Sequence, residues 1–507
     1  MIQKNLNQTS KPRSIATANN INMAAESKDN EKTKKTQIYQ SNDEESESIR
    51  QKLVKEYSYV GYFKTWNSSK TLADREYDIL TTVSNILSLK KPNVDVELID
   101  TDIDYQTEHQ LSLKDSKKEI NSIHELSINN KNNSSSGSQR EIVLLHGYGA
   151  SLGLFYNNFE ALSTLENTRV HVLDMLGFGL SSRPKFPKRK ATEKTNFEYT
   201  YKKNVKDQET GEMKPTVITE KVKVKTSLED VEVAENFFID SLESWRKEKK
   251  IDKFTLIGHS LGGYLSSCYA MKYPERVNKL VLLSPVGLET SSFDLTKNNN
   301  DQKSTIKVSE NDMDKAPDVQ EEVPQDTHVN LSKMKKPGFL ESDANGHVSV
   351  SPSIPTALKF FWKSELSPFT FVRKFYFLGP SVMKGWSFTR FMDLKDEVKI
   401  LKMHEYCYAS FAGKGSGEYC IPRILGPSVL PYNPLLNRVP KAIQCDSLWV
   451  YGDSDWMNSS AGATMCKKIN EIGKYKADFE IVSNAGHHLY LDNPEEFNAM
   501  LLDYIKN

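Results

Sequence analysis

The chain has 507 residues, with 67 Lys+Arg against 67 Asp+Glu, so its formal net charge is zero. A balanced chain carries no global field to gather nucleic acid or another charged polymer, and no nucleic-acid partner is expected. The five cysteines are an odd number, widely scattered and without a CxxC pair, which excludes a disulfide framework and a zinc site and fits a reducing compartment.

No run of eighteen apolar residues occurs, so no transmembrane helix is expected. No apolar segment follows the start, as a secretory signal would require. Residues 1–50 are polar, with an acidic cluster at Asp43, Glu44, Glu45 and Glu47, and are expected to be disordered. Residues 1–25 carry Lys4, Lys11 and Arg13 and no acid before Glu26. That composition is compatible with a mitochondrial transit peptide and equally with a plain polar N-terminus.

A core begins near Leu53 and its first part runs over residues 51–289. Near-helical spacing of Leu72, Ile79, Leu80, Val83, Ile86 and Leu87 predicts a helix over 71–89. Alternation at Val94, Val96 and Leu98, and again over 120–128, predicts opening antiparallel strands. Residues 131–138 are an Asn/Ser/Gly-rich loop. Ile142-Val143-Leu144-Leu145 is a continuous apolar run of the kind a buried strand shows, and His146-Gly147-Tyr148-Gly149 follows it. Phe159, Leu162 and Leu165 then have helical spacing, and Val170 to Leu173 is the next strand. Strand, glycine loop and helix repeat, which predicts an α/β fold with a mostly parallel sheet and helices on both faces.

A basic insertion at 184–225 interrupts the rhythm, with Lys185, Lys188, Arg189 and Lys190 and later Lys221, Lys223 and Lys225. It reads as a surface segment, either simply solvated or in contact with anionic head groups. Leu228 to Trp245 is a helical core stripe, and Leu280 to Leu283 is a further buried strand. Residues 290–353 are Asn-rich and charged, too long for an ordinary connection, and are expected to be a disordered insertion. Residues 354–440 are rich in aromatics, among them Phe360, Phe361, Trp362, Phe369, Phe375, Trp386, Phe388 and Phe391. They predict a helical cap, packed on its own rings or serving as a lid that dips into a bilayer interface. The core resumes over 441–507.

Phe254-Thr255-Leu256-Ile257 leads straight into Gly258-His259-Ser260-Leu261-Gly262 and then a helical pattern. This is the sequence form of a nucleophile elbow, where a serine is held at strained angles on a strand-to-helix turn. Asp455 and His487 follow later strands, giving the order Ser–Asp–His expected of an α/β-hydrolase. A serine hydroxyl needs a base to take its proton, and a buried carboxylate orients that base. Asp453 competes for the acid role, but Asp455 has the usual reach after Gly452. His488 competes with His487, which directly follows Gly486. His146 and His259 read as structural. The N–H groups of Tyr148 and Leu261 are the expected oxyanion donors, each worth roughly 3 kcal/mol. His487 and Asp492 also form an H-x4-D pattern, the pair that activates an acceptor hydroxyl in glycerolipid acyltransferases. No metal or cofactor is expected.

The blocks Gly258 to Gly263, Tyr451 to Asn458 and Gly486 to Asp492 resemble the α/β-hydrolase subfamily of the lipid-droplet lipase coactivator and the N-acylphospholipid lipases. That subfamily includes the fungal cardiolipin-specific deacylases. Thr65-Trp66-Asn67-Ser68-Ser69, Ser181-Ser182-Arg183-Pro184 and Ser416-Gly417-Glu418 match it outside the site. The resemblance implies a serine phospholipase that deacylates a glycerophospholipid, cardiolipin first, at a mitochondrial membrane, with the cytoplasm or a lipid-droplet surface as other locations. It implies peripheral membrane association through the lid or the basic insertion. The coactivator branch lacks the serine, and Ser260 is present here. Two alternatives stand: lysophosphatidic acid acyltransfer from acyl-CoA, and a non-catalytic lipid-binding scaffold.

Overall fold

The computed structural model describes residues 48–113, 119–131, 138–207, 212–297, 333–335, 340–352 and 366–507. The N-terminal segment 1–50 therefore lies almost wholly outside the described residues, as do most of 290–353 and the cap residues Phe360, Phe361 and Trp362.

Eight strands form the central sheet: β1 (Val94–Ile103), β2 (Asn121–Asn130), β3 (Arg140–Leu145), β4 (Thr168–Leu173), β5 (Phe254–His259), β6 (Val277–Leu283), β7 (Asp446–Gly452) and β8 (Ala477–Val482). Their spatial order is β1-β2-β4-β3-β5-β6-β7-β8. β2 pairs antiparallel with both β1 and β4. The remaining pairs are parallel.

The strand β3 shows why the central sequence reads as unbroken apolar runs. Ile142 and Leu144 pack into one core layer, and Val143 and Leu145 into the other. Successive side chains point to opposite faces, so a strand covered on both sides has no polar position to offer. The helices Leu228–Glu248 and Leu261–Lys272 cover one face, through residues such as Trp245 and Tyr264. The C-terminal helix Pro494–Lys506 and the cap helix Glu397–Ala412 cover the other, through Phe497, Leu501, Ile400 and Met403.

The predicted helix at 71–89 is shorter than its spacing implied. It runs from Leu72 to Thr82 behind a Thr71–Asp74 capping box, and Asn85 at φ 56° then turns the chain into a short 3-10 segment. Its Glu76 is buried and accepts a hydrogen bond from Tyr406 of the cap (3.0 Å), and it pairs with His124 of β2 (2.7 Å).

The basic insertion is more than a surface loop. Thr195–Lys206 and Met213–Val224 pair antiparallel as a hairpin, and Val350–Pro352 adds a third strand. Phe197, Tyr199, Tyr201, Val222 and Val224 alternate onto one face and are buried with Phe293 and Tyr432. The segment 290–353 reads as a disordered insertion, but its two ends are ordered. Thr290–Ser291 pairs with His347–Val348, and Phe293, Leu340 and Val348 are buried. The few apolar residues there are spaced so that each end folds back onto the hairpin.

The cap's aromatics divide into buried and exposed rings. Phe388 and Phe391 are fully buried, while Tyr376 is 70% and Trp386 43% exposed. The helix Tyr59–Trp66 lies beside this cap, where Lys384 Nζ donates to Tyr62 Oη at 2.5 Å. Among the described residues no helix is long and apolar enough to cross a membrane.

Candidate active site

Ser260 stands between β5 and the helix Leu261–Lys272 at φ 53°, ψ −113°. A non-glycine residue held there stores strain and persists only where its surroundings dictate it. The flanking glycines explain how so tight a turn closes. A Cβ at Gly262 would lie 2.5 Å from the carbonyl oxygen of His146, and one at Gly258 would lie 2.4 Å from the carbonyl oxygen of Gly262. Three backbone hydrogen bonds lock the turn: Ser260 N–H donates to Leu283, and Tyr264 and Val286 donate to the Ser260 carbonyl.

β7 and β8 end on the same side and bring Asp455 and His487 together. His487 Nδ1 lies 3.2 Å from Asp455 Oδ1. A carboxylate only accepts, so this bond places the proton on Nδ1 and leaves Nε2 as the basic nitrogen. The Met457 N–H donates to Oδ1 at 3.0 Å, and Ser284 Oγ donates to Oδ2 at 2.5 Å. Burial pushes the Asp455 pKa up, but the bonds from His487, Met457 and Ser284 outweigh it and hold the carboxyl below its usual range. The Asp-Trp-Met-Asn block thus has four separable uses. Asp455 meets the histidine, Trp456 walls it with ring centroids 5.0 Å apart, Met457 supplies an N–H, and Asn458 caps the next helix.

Asp453 is placed differently. It accepts from the N–H groups of Asn484 (2.7 Å) and Ala485 (3.2 Å) and pairs with Lys335 (2.8 Å). It therefore shapes the loop before His487 rather than touching the ring. Asp492 is likewise engaged elsewhere: it accepts from Gly486 N–H at 2.9 Å and pairs with Arg390 of the cap at 2.6 Å. His487 and Asp492 are near in the chain, but the His487 ring bonds to Asp455.

The loop carrying Tyr148 lies directly against the elbow. A Cβ at Gly147 would come within 3.1 Å of Ser260 Cβ. Leu261 N–H opens a helix and so has no intrahelical acceptor. The cap presses on this loop from above. Phe369 stacks on the Tyr148 ring at 5.3 Å, and Tyr148 Oη donates to the carbonyl of Glu418. Glu418 in turn is buried and paired with Arg373 of the cap at 2.6 Å. This is what the Ser-Gly-Glu block does: it ties the cap to the loop that carries Tyr148.

Ser260, His487, Tyr148 and Leu261 all line one cavity of about 460 Å³, closed otherwise by largely apolar side chains such as Leu154, Phe369, Trp386, Phe411 and Leu425. Among the described residues no hydrogen bond joins Ser260 Oγ to His487; such bonds commonly tighten only when substrate is present.

Two contributors had no signature in the sequence. Ser284 is simply a serine after a strand, yet it holds the second oxygen of Asp455. His259 read as structural, and its Nε2 bonds to the His487 carbonyl at 2.9 Å, which fixes the backbone of the histidine loop. Burial, with His487 beside it, holds the His259 pKa well below the ordinary value, so its ring is neutral. His488 also lines the cavity, and burial together with the neighbouring His259 lowers its pKa in the same way.

Comparison with known proteins identifies the fold family. A family model for the alpha/beta hydrolase fold matches residues 141–494. The chain is 28% identical over 414 residues to Protein ECM18 of Saccharomyces cerevisiae, covering 79% of this chain and 78% of that protein. It is 29% identical over 369 residues to a probable 1-acylglycerol-3-phosphate O-acyltransferase of Oryza sativa subsp. japonica, covering 71% of this chain and 65% of that protein, just under two thirds of its length. It is 26% identical over 365 residues to the (Lyso)-N-acylphosphatidylethanolamine lipase of Homo sapiens, covering 71% of this chain and 77% of that protein. With the sheet order, the elbow and a family match across most of its length, the chain belongs to the α/β-hydrolase fold family.

Proposed function

We propose that the protein is a serine acyl hydrolase that deacylates a glycerophospholipid through an acyl-enzyme on Ser260. The observation that carries this reading is the convergence of Ser260, the Asp455-held His487 and the Tyr148 loop on one largely apolar cavity. In the proposed cycle Ser260 Oγ attacks the ester carbonyl while His487 takes its proton. The N–H groups of Tyr148 and Leu261 receive the developing oxyanion. His487 then protonates the departing lysolipid oxygen. The same histidine activates water, which releases the fatty acid and restores Ser260.

A relative named as a lipase for N-acylphosphatidylethanolamine supports a phospholipid acyl group as substrate. Cardiolipin, and with it a mitochondrial membrane, rests on the sequence resemblance; a lipid-droplet surface or the cytoplasm fits a different lipid ester. The exposed aromatics of the cap, among them Trp386 at the cavity, support peripheral contact with the membrane that holds the substrate.

A second reading has support of its own, because other relatives are named as 1-acylglycerol-3-phosphate O-acyltransferases. There a lysophosphatidic acid hydroxyl replaces water, with acyl-CoA as donor. Asp492 separates the two. Because its carboxylate bonds to Gly486 N–H and Arg390, Asp492→Ala is expected to loosen the histidine loop and to lower hydrolysis and transfer together, by about tenfold. Labelled phospholipid, or labelled acyl-CoA with lysophosphatidic acid, reads both rates on the same preparations. Loss of transfer with hydrolysis untouched replaces the hydrolase reading with the transferase one.

A further inference from the structure

The hairpin inserted between β4 and β5 concentrates charge that the chain as a whole balances. Residues 184–225 belong to a stretch in which basic side chains outnumber acidic ones, in a chain with equal totals of 67 and 67. The pairing register shows where those charges point. Lys202 lies opposite Val217, Lys206 opposite Met213, Glu198 opposite Lys221 and Asn196 opposite Lys223. Paired residues share a face, and faces alternate along each strand. One face is therefore Phe197, Tyr199 and Tyr201 with Val222 and Val224, buried on Phe293 and Tyr432. The opposite face carries Lys202, Lys206, Lys221 and Lys223, interleaved with Met213 and Val217. Its one acid is Glu198, which lies 3.7 Å from Lys221.

Beyond Lys202, the last residue paired with Val350–Pro352, only the two hairpin strands continue. Residues 202–206 and 212–217 are exposed on both faces, and Met213 is 62% and Val217 45% exposed. A two-stranded ribbon has little stability of its own in water, and lysines interleaved with exposed apolar side chains gain nothing there from folding. At a bilayer interface the same pattern is favourable. The apolar groups enter the head-group region, the lysine stems follow, and the ammonium groups meet lipid phosphates. A nucleic-acid backbone would use the lysines but offer nothing to Met213 and Val217.

The root of the ribbon is tied to the cavity wall. Leu430 packs in the hairpin's cluster, and its chain neighbour Val429 lines the cavity. Arg189 Nη2 donates to the carbonyl of Pro422, which also lines it. We propose that the outward face of this hairpin docks the protein on an anionic phospholipid bilayer, holding the cavity wall at the lipid surface. This extends the phospholipid reading of the site, but it does not depend on which acceptor resolves the acyl chain.

Co-sedimentation of the purified full-length protein with vesicles tests it. Binding to phosphatidylcholine vesicles containing phosphatidylglycerol is expected to exceed binding to phosphatidylcholine alone by about tenfold or more, and to fall as salt is raised. The combined variant Lys202→Glu, Lys206→Glu, Lys223→Glu is expected to lose that advantage, again by more than about tenfold. Met213→Asp with the lysines intact is expected to weaken binding by several-fold. Thermal unfolding midpoints equal to the wild type show that these variants fold. Equal binding of the wild type to both vesicles, or wild-type binding by the folded triple variant, overturns the proposal. Ser260→Ala is expected to bind vesicles like the wild type, so a failed docking result and a failed hydrolase result are told apart.

Discussion

Ser260→Ala is expected to abolish hydrolysis of phospholipid vesicles, with a fall in kcat on the order of 10⁵–10⁶-fold. The magnitude follows from the geometry. No other hydroxyl stands on the strained turn between β5 and its helix, in the cavity that Tyr148 and Leu261 also line. What survives is the modest assistance that binding and oxyanion donors give to water alone. The substitution removes one oxygen and leaves the locking backbone hydrogen bonds in place, so the unfolding midpoint is expected to stay within a degree or two of the wild type. Fatty-acid release from labelled vesicles, with a melting curve on the same sample, checks both halves. Full activity in the folded variant would rule out the acyl-enzyme.

The second large effect separates two neighbouring acids. Asp455→Asn keeps the shape of the site but cannot hold the His487 tautomer, and kcat is expected to fall by about 10⁴-fold. Asp453→Asn is expected to leave kcat within several-fold and to cost about 1–3 kcal/mol of stability, because it weakens the acceptors of the Asn484 and Ala485 N–H groups and the pair with Lys335. The sign of the pH effect follows from the lowered pKa of Asp455. Its contribution to stability is full above the ordinary carboxylate value and is lost as pH falls through the lowered one. Melting temperatures taken from neutral to acidic pH are therefore expected to drop less steeply in Asp455→Asn than in the wild type. If Asp453→Asn proved the inactive variant and Asp455→Asn the active one, the acid assignment would be reversed.

The elbow was legible because its demands are local. A strained serine between two glycines, with a buried strand before it and a helix after it, constrains five consecutive residues by sterics alone. The order Ser–Asp–His and the approximate position of each group were legible for a related reason: each follows an apolar run, and parallel strands end on one side. The choice between Asp453 and Asp455 was only partly so. Both follow β7, and what tells them apart is the loop at 484–485 folding onto Asp453, a contact between segments about thirty residues apart. Ser284 and His259 were not legible as supports of Asp455 and His487, because a serine after a strand or a histidine beside a serine carries no pattern; their use exists only once β5, β6, β7 and β8 lie together.

Elsewhere the prominent signal concealed the useful one. In residues 184–225 the lysines drew attention to a charged surface, while the period-two placement of Phe197, Tyr199 and Tyr201 announced a strand. In the cap the abundance of aromatics was plain, but which rings are covered depends on neighbours distant in sequence. Phe388 is buried between Tyr57 and His404, and Trp386 stays partly exposed at the cavity.

A fluorophosphonate reads whether Ser260 is an activated nucleophile, without any assumption about the lipid. The purified full-length protein is incubated with the probe, and the modified residue is located by peptide mass spectrometry. The predicted result is a single adduct on Ser260, formed in the wild type and strongly slowed in Asp455→Asn. A folded wild-type protein that takes up no probe, or takes it up at another residue, contradicts it.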